Sequence, residues 1–161
     1  MGNNLKISIQ PEWDQLESVR VQAHTFLEEN GLMANLIHSL VMVVSELMEN
    51  SIKYGNFSSP DTRVEVSLGF YKNSITVEVS NPVNEDSMSD LEELDRMIQW
   101  IRGYQNPFEA YIERLKEISK KPLHDKASGL GIVRIAYEGG VTLDFFVSEE
   151  GLLTVSAIRK V

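Results

Sequence analysis

Alternating apolar and polar residues predict five β-strands. Strand periodicity is two residues, so a strand of this kind turns its apolar side chains to one face of a sheet. The last four strands are predicted to form two hairpins, because a short turn joins the members of each pair. The strands are residues 5–9, then 64–70 and 75–79 around the turn 72–74, then 141–147 and 153–157 around the turn 149–151.

Apolar residues at helical spacing predict two helices between the first strand and the first hairpin. Pro11 opens the first helix, residues 12–29, and Asn30-Gly31 ends it. The second helix, residues 36–54, is the more apolar and is expected to be the central one. The inner side of the first helix is predicted to consist of Trp13, Leu16, Val19, Ala23, Phe26 and Leu27.

The segment between the two hairpins, residues 83–127, is predicted to be an insert of two helices separated by Asn106-Pro107. A further short helix over residues 129–138 leads into the second hairpin. The predicted fold class is therefore α+β: a two-layer sandwich with a mixed, mostly antiparallel sheet and helices grouped on one face. The whole chain, residues 1–161, is expected to form a single domain.

Composition narrows the functional classes. The chain has no cysteine, which excludes disulfides and thiol chemistry. The net charge of −9 argues against nucleic acid, because phosphate backbones are bound by clustered basic residues. No apolar run approaches the length of a membrane span, and the first ten residues lack the pattern of a signal peptide, so we expect no membrane and a cytoplasmic location. The acidic run over residues 85–95 is either a solvated surface or a contact for a basic partner protein.

The central helix carries a polar stripe. Glu46, Asn50 and Lys53 are spaced so that they share one helix face. Such a stripe is costly to bury unless it is paired or meets a ligand. A carboxylate, an amide and an ammonium group together suit a triphosphate with Mg²⁺, whereas the alternative is a partly exposed helix edge. The other faces are apolar and consist of Leu36, Ile37, Leu40, Val41, Val44, Leu47, Met48 and Ile52.

A second candidate site lies just before the last helix. Ser128, Gly129, Leu130 and Gly131 place two glycines ahead of an apolar helix, where backbone amides can approach an anion. A tight turn into a buried helix explains the same residues equally well. Taken alone, the segment is therefore weak support for a phosphate site.

The order of these pieces resembles the GHKL ATPase superfamily, the histidine kinase-like or Bergerat-fold ATPases. Residues 46–55 resemble its N box and residues 127–133 its second glycine box, with a hairpin and a variable lid between them. The layout is similar to that of single-domain anti-sigma factor serine kinases. The resemblance implies ATP and Mg²⁺ as cofactors and residues 83–127 as the lid.

The resemblance also implies a role for individual residues. Asn50 would coordinate Mg²⁺, Glu46 would orient or deprotonate a nucleophile, and Lys53 would lie near phosphate. Gly129 and Gly131 would cradle the triphosphate, with Ser128 and Leu130 in the same box.

The first glycine box departs from the family pattern. Asn81 stands where the family has an aspartate that accepts a hydrogen bond from adenine, and both glycines of the box are absent. A neutral acceptor is weaker by roughly 1 kcal/mol, which is less than about tenfold in affinity. Pro82 removes a backbone donor and fixes φ, and Ala127 replaces a glycine that is common in the second box.

Two functional hypotheses follow. In the first, the chain is an ATP-binding signalling protein that phosphorylates or sequesters a regulatory partner, an antagonist or a sigma-like protein, as anti-sigma serine/threonine kinases do; the family also allows a homodimer. In the second, the same fold is a protein-interaction module that has lost catalysis or nucleotide binding. An ATPase machine of the topoisomerase or chaperone type would need further domains, and a self-phosphorylating histidine kinase would need a phosphoacceptor helix.

Overall fold

The computed structural model describes residues 3–58, 61–104, 106–118 and 130–161. Its strands are β1 (Asn4–Ile9), β2 (Val64–Tyr71), β3 (Ser74–Pro82), β4 (Thr142–Val147) and β5 (Leu152–Lys160). Its helices are α1 (Leu16–Glu29), α2 (Ala34–Tyr54), α3 (Met88–Arg102), α4 (Pro107–Ile118) and α5 (Leu130–Glu138). Two short 3₁₀ turns, Trp13–Gln15 and Glu85–Ser87, precede α1 and α3.

The five strands form one sheet in the order β1-β2-β3-β5-β4. Every described pairing is antiparallel, a more uniform sheet than the mixed one that the sequence allowed. Both predicted hairpins are present; the first turns at Lys72, whose φ of 53° is left-handed, and the second at Gly151, whose φ is 81°. These conformations reverse the chain within a few residues, which keeps the partner strands in register.

The helices cover one face of this sheet, as the α+β prediction requires. Alternate residues of β2 and β3 are buried, and α2 lies against both strands, with α1 and α5 packed beside it. The apolar faces of α2 supply the centre of the core: Ile37, Leu40, Val43, Val44, Leu47 and Met48 are buried, whereas Leu36, Val41 and Ile52 are half-buried. The protein is thus an α+β two-layer sandwich.

The first helix differs from its prediction. The α-helix begins at Leu16 rather than at residue 12, and Trp13 lies in the preceding 3₁₀ turn with 56% of its surface exposed. The expectation that Trp13 lies on the inner side of the helix was wrong, because a three-residue turn rotates its side chains differently from the α-helix that follows. Leu16, Val19, Ala23 and Leu27 are buried as predicted, and Phe26 is half-buried.

The insert between the hairpins contains α3 and α4, as predicted. The described part of the insert packs back on α5, and α4 makes the larger contact with it. Residue 105 and residues 119–127 lie outside the described residues. No helix in the described ranges is long and apolar enough to cross a membrane.

Candidate active site

The polar stripe of α2 faces a cavity of about 360 Å³. Glu46, Asn50 and Lys53 all line it, so the helical spacing brings the three groups to one wall. The buried faces of α2 fix the rotation of the helix, because turning the stripe inward would expose Leu40, Val44 and Met48 to water. The volume is within the range of small-ligand pockets, roughly 300–1,000 Å³.

Five other parts of the fold complete the walls. The end of β3 and the next residues contribute Asn81 and Val83, and β5 contributes Leu153 and Val155. In the register of the sheet Asn81 is opposite Leu153 and Val79 is opposite Val155, so the two strands reach the cavity side by side. The remaining walls are formed by the start of α5 with Gly131 and Ile132, by Trp13, and by α3 and its preceding turn with Ser87, Asp90, Leu91, Glu93, Leu94 and Met97.

Glu46 is half-buried, with 19% of its side chain exposed. Its carboxylate lies 3.6 Å from Nη1 of Arg134 on α5. Burial raises the pKa of Glu46, and repulsion from Glu49 raises it further, while Arg134 and Arg20 lower it. Since a general base works best with a pKa nearer the working pH, this environment suits proton transfer at position 46.

Gly131 approaches Glu46 very closely. A Cβ atom at position 131 would lie 2.5 Å from Oε2 of Glu46, closer than atoms can approach. The missing side chain therefore gives the carboxylate its place beside α5. This contact joins the N-box-like helix to the last residue of the glycine segment.

Asn50 and Lys53 occupy the more open part of the stripe. Asn50 is half-buried, and within the described residues its carboxamide has no hydrogen-bond partner. Lys53 is exposed, with Nζ 5.1 Å from the centre of the Tyr54 ring, a cation–π distance. An amide oxygen and an ammonium on one wall can bind a metal ion and a phosphate oxygen, respectively.

Asn81 is held tightly at the floor of the cavity. It is 2% exposed, and its Nδ2 donates to the carbonyl oxygen of Pro82, 3.1 Å away. The same carbonyl accepts the backbone N–H of Asn56 at 2.8 Å. With its nitrogen occupied in this way, the oxygen of the Asn81 amide can serve as an acceptor for a ligand. Pro82 ends β3 opposite Leu152, at a strand terminus where a missing N–H is tolerated.

Not every residue predicted for the site can be placed. Ser128 and Gly129 lie outside the described residues, and Leu130 begins α5 without a described side chain. The structure does place Gly131 beside Glu46 and Asn81 in the same cavity. The triphosphate cradle at Ser128 and Gly129 therefore stays a prediction.

Sequence reasoning missed three contributors. The first is Arg134 on α5, which pairs with Glu46 on α2, and the second is Trp13, which lines the cavity from the turn before α1. The third is a set of carboxylates in the lining, those of Glu49, Asp90 and Glu93. For Arg134 the available signal was its place one turn after Gly131 on a short helix. For Asp90 and Glu93 the signal was the acidic run, whose relation to the cavity depends on how α3 packs.

The charge of the cavity bears on which ligand fits. Four carboxylates line it, those of Glu46, Glu49, Asp90 and Glu93, against the ammonium of Lys53. Among the described residues no three histidine or acidic side chains are placed to hold a metal ion by themselves. A Mg²⁺ ion held by one protein group and by phosphate oxygens fits this donor set, because Mg²⁺ is commonly bound in that way. A bare triphosphate would meet these four carboxylates, three of which already pair with an arginine: Glu46 with Arg134, Glu49 with Arg20 and Glu93 with Arg96.

Comparison with known proteins identifies the fold family. Residues 9–136 match the sequence profile described as "Histidine kinase-like ATPase domain", which is most of the chain. The chain belongs to the histidine kinase-like ATPase domain family. The segment of this ATPase domain that matches spans the helix with Glu46 and Asn50 and ends in α5, beyond Arg134.

A solved structure shares the whole architecture of the domain. It is a chain of the SiaB-SiaC complex from Pseudomonas aeruginosa, with a TM-score of 0.69, 17% sequence identity, and coverage of 98% of this chain and 89% of that chain. At this identity the likeness shows the fold. No curated protein matches the sequence of this histidine kinase-like ATPase domain.

Proposed function

We propose that this chain is an ATP-binding signalling protein that transfers phosphate to a serine or threonine of a regulatory partner protein, an antagonist or a sigma-like protein, in bacterial regulation. The observation that carries the proposal is the convergence of Glu46, Asn50 and Gly131 on one cavity of a histidine kinase-like ATPase domain. Phosphate transfer needs a base and a metal ligand, which Glu46 and Asn50 could supply, and Gly131 leaves room for the base. None of the three side chains is needed to fill the core.

Three groups of the chain would hold the nucleotide. The Asn50 amide oxygen would bind Mg²⁺, Lys53 would contact phosphate, and the Asn81 oxygen would accept the adenine amine. Mg·ATP supplies a phosphoryl group whose charge the metal neutralises. Leu91, Leu94 and Met97 of α3 form an apolar wall, which would keep water from the site once it is occupied.

Glu46 would act as the general base. Its carboxylate faces the cavity at the contact with Gly131, and its pKa is raised by burial. It would accept the proton of a partner's hydroxyl, so that the oxygen becomes a better nucleophile. Because burial raises the pKa of Glu46, phosphate transfer should be lost at a higher pH, as the pH falls, than it would be with an ordinary carboxyl group as the base.

The partner is proposed from the neighbouring structure and from charge. The similar chain comes from a SiaB-SiaC complex, so this fold is found assembled with a second protein. In our chain, α3 exposes Asp90, Glu92, Glu93 and Asp95 beside the cavity. We propose that these residues contribute to partner choice, that residues 1–161 act as one domain with 83–127 as lid, and that the protein works in the cytoplasm.

The decisive experiment is calorimetric titration with ATP, with and without Mg²⁺, on the wild type and on Asn50→Ala. We expect binding that requires Mg²⁺ and is lost in Asn50→Ala. Asn35→Ala is the matched control, since Asn35 is an exposed asparagine at the start of the same helix and does not line the cavity. Absence of binding by the wild type at millimolar Mg·ATP would refute the proposal.

A second candidate function is a protein-interaction module that does not bind nucleotide. The Asn81-Pro82 end of β3, without the glycines of the family, favours it. In that case Mg·ATP would leave the melting temperature unchanged, because only a ligand that binds the native state raises it. Sedimentation of the same sample, alone and with a candidate partner, would test the homodimer and the complex.

A further inference from the structure

Arg134 contacts two carboxylates on different helices. Its Nε donates to Oε2 of Glu138 at 2.9 Å, one turn along α5, and its Nη1 lies 3.6 Å from Oε1 of Glu46 on α2. A guanidinium is planar and stays charged, so fixing one of its edges fixes where the other points. Glu138 thus anchors the group that reaches across to Glu46.

Gly131 leaves room for the Glu46 carboxylate beside α5. Oε2 of Glu46 occupies the place beside Gly131 that a side chain would fill, while Oε1 is the atom nearest Arg134. Both contacts come from one short helix, α5, and both act on one carboxylate of α2. One residue of α5 therefore leaves room for Oε2, and another pairs with Oε1.

We propose that Arg134 is a positioning residue, which holds the carboxylate of Glu46 in the orientation that accepts a proton from the partner's hydroxyl. This rests on the proposed phosphate transfer. Arg134 itself does not line the cavity and acts through Glu46. A carboxylate held by an ion pair loses little freedom when it reacts, and a displacement of about 1 Å at such a group can lower the rate roughly 100-fold.

Other charges also face Glu46. Glu49 lies one turn on in α2, Arg20 of α1 pairs with Glu49 at 3.6 Å, and Glu138 shares Arg134. Arg20 also donates to Oγ of Ser45 at 2.6 Å and makes no described ion pair with Glu46. Arg20 is therefore the control, because Arg20→Gln also removes one positive charge near Glu46 but leaves the ion pair between Arg134 and Glu46 in place.

The test compares Arg134→Gln, Arg134→Lys and Arg20→Gln, each alone and combined with Glu46→Gln. We expect Arg134→Gln to lower the phosphate-transfer rate by roughly 10- to 100-fold, with the Mg·ATP dissociation constant changed by less than about twofold. Arg134→Lys should restore part of the rate, since it keeps the charge. In the Glu46→Gln background, loss of Arg134 should have no further effect on the rate, because it acts through that residue.

A second measurement uses the nucleotide-free protein. A double-mutant cycle on unfolding by urea should show coupling between Arg134 and Glu46, and weaker coupling between Arg20 and Glu46. Additive effects in both cycles, or an Arg20→Gln rate loss as large as that of Arg134→Gln, would overturn the positioning role while phosphate transfer stands. If the wild type neither binds Mg·ATP nor transfers phosphate, the proposed function is wrong, and the proposed role of Arg134 is wrong with it.

Discussion

The carboxyl group of Glu46 predicts how stability depends on pH. Its pKa is raised in the folded protein above the ordinary value of 4.5, by burial first and by Glu49 second. Between the unfolded and folded pKa values, the folded state binds more protons than the unfolded state, so the free energy of unfolding falls as pH rises through that window. Above the folded pKa the carboxyl group is ionised in both states, and the free energy of unfolding no longer falls on its account.

Glu46→Gln should therefore stabilise the nucleotide-free protein at pH 7 and change it little near pH 4, where the wild-type acid is already neutral. Urea unfolding at the two pH values measures this. Glu29→Gln on the exposed end of α1 is the control and should be close to neutral at both. A wild type that is more stable than Glu46→Gln at pH 7 would mean that attraction to Arg134 outweighs burial.

A substitution at Gly131 should affect activity and stability differently. In Gly131→Ala the new Cβ would meet the far end of the Glu46 side chain, which can move without disturbing the core. Alanine is also the better helix former of the two residues. We expect a melting temperature equal to or above that of the wild type, and phosphate transfer lowered by at least about tenfold because the carboxylate is displaced.

Gly69→Ala in β2 is the matched control for this variant. There the new Cβ would lie 2.6 Å from Oδ1 of Asn4, again the end of a flexible side chain, but neither Gly69 nor Asn4 lines the cavity. Its activity should equal that of the wild type. If Gly131→Ala kept full activity, the place of Glu46 beside α5 would have no role in the reaction.

At the scale of elements, the turn before α3 should control the stability of the start of the proposed lid. Asn84 caps it: its Oδ1 accepts the backbone N–H of Asp86 at 3.0 Å, and Ser87 Oγ accepts the N–H of Asn84 at 3.2 Å. Asn84→Ala should destabilise the protein by about 1 kcal/mol, the usual effect of losing a cap. Hydrogen exchange should rise at residues 86–91 more than in the sheet.

Ser89→Ala is the control for this change, because Ser89 is exposed on α3 and caps nothing. It should leave exchange in the lid unchanged. Equal exchange in Asn84→Ala and the wild type would show that packing of α3, not its cap, holds the segment.

Most elements of the fold could be predicted because each carries its own periodic signal. Alternation located both hairpins, and helical spacing located α2 within two residues of its start at Ala34. Trp13 was misplaced because a 3₁₀ turn and an α-helix share apolar spacing over so short a stretch. Hydrophobic periodicity indicates which face of an element is buried, but it does not show which other element packs against that face.

Only the part of the site that lies on one helix could be predicted from periodicity. Glu46, Asn50 and Lys53 lie on one helix, so spacing alone put them together. The contact of Glu46 with Arg134 joins α2 to α5 across the whole first hairpin and insert, and no periodicity links such distant residues. The departure at Asn81-Pro82 was visible in the sequence, whereas the hydrogen bond between the two residues depends on how β3 ends.

At the scale of the whole molecule, charge bears on which form of the proposed nucleotide would bind. The net charge is −9, and three of the acidic residues that contribute to it, Glu49, Asp90 and Glu93, line the cavity. ATP without a metal ion carries about four negative charges into this field, and like charges that close raise the free energy of the complex. Removing Mg²⁺ with a chelator should therefore weaken ATP binding by at least about tenfold, which is about 1.4 kcal/mol.

The double variant Asp90→Asn/Glu93→Gln tests whether the carboxylates cause this dependence. It removes two charges from the cavity lining and leaves Glu46, Asn50 and Lys53 in place. We expect calorimetry to show that metal-free ATP binds the variant more tightly than the wild type, with a smaller gain for Mg·ATP, because the metal already offsets part of the repulsion. Asp95→Asn/Glu92→Gln is the matched control, since it removes two charges from α3 that do not line the cavity. An equal gain in affinity for metal-free ATP in both double variants would assign the effect to net charge. No gain in either variant would mean that the carboxylates do not cause the Mg²⁺ dependence, which would then rest on coordination of the ion by Asn50.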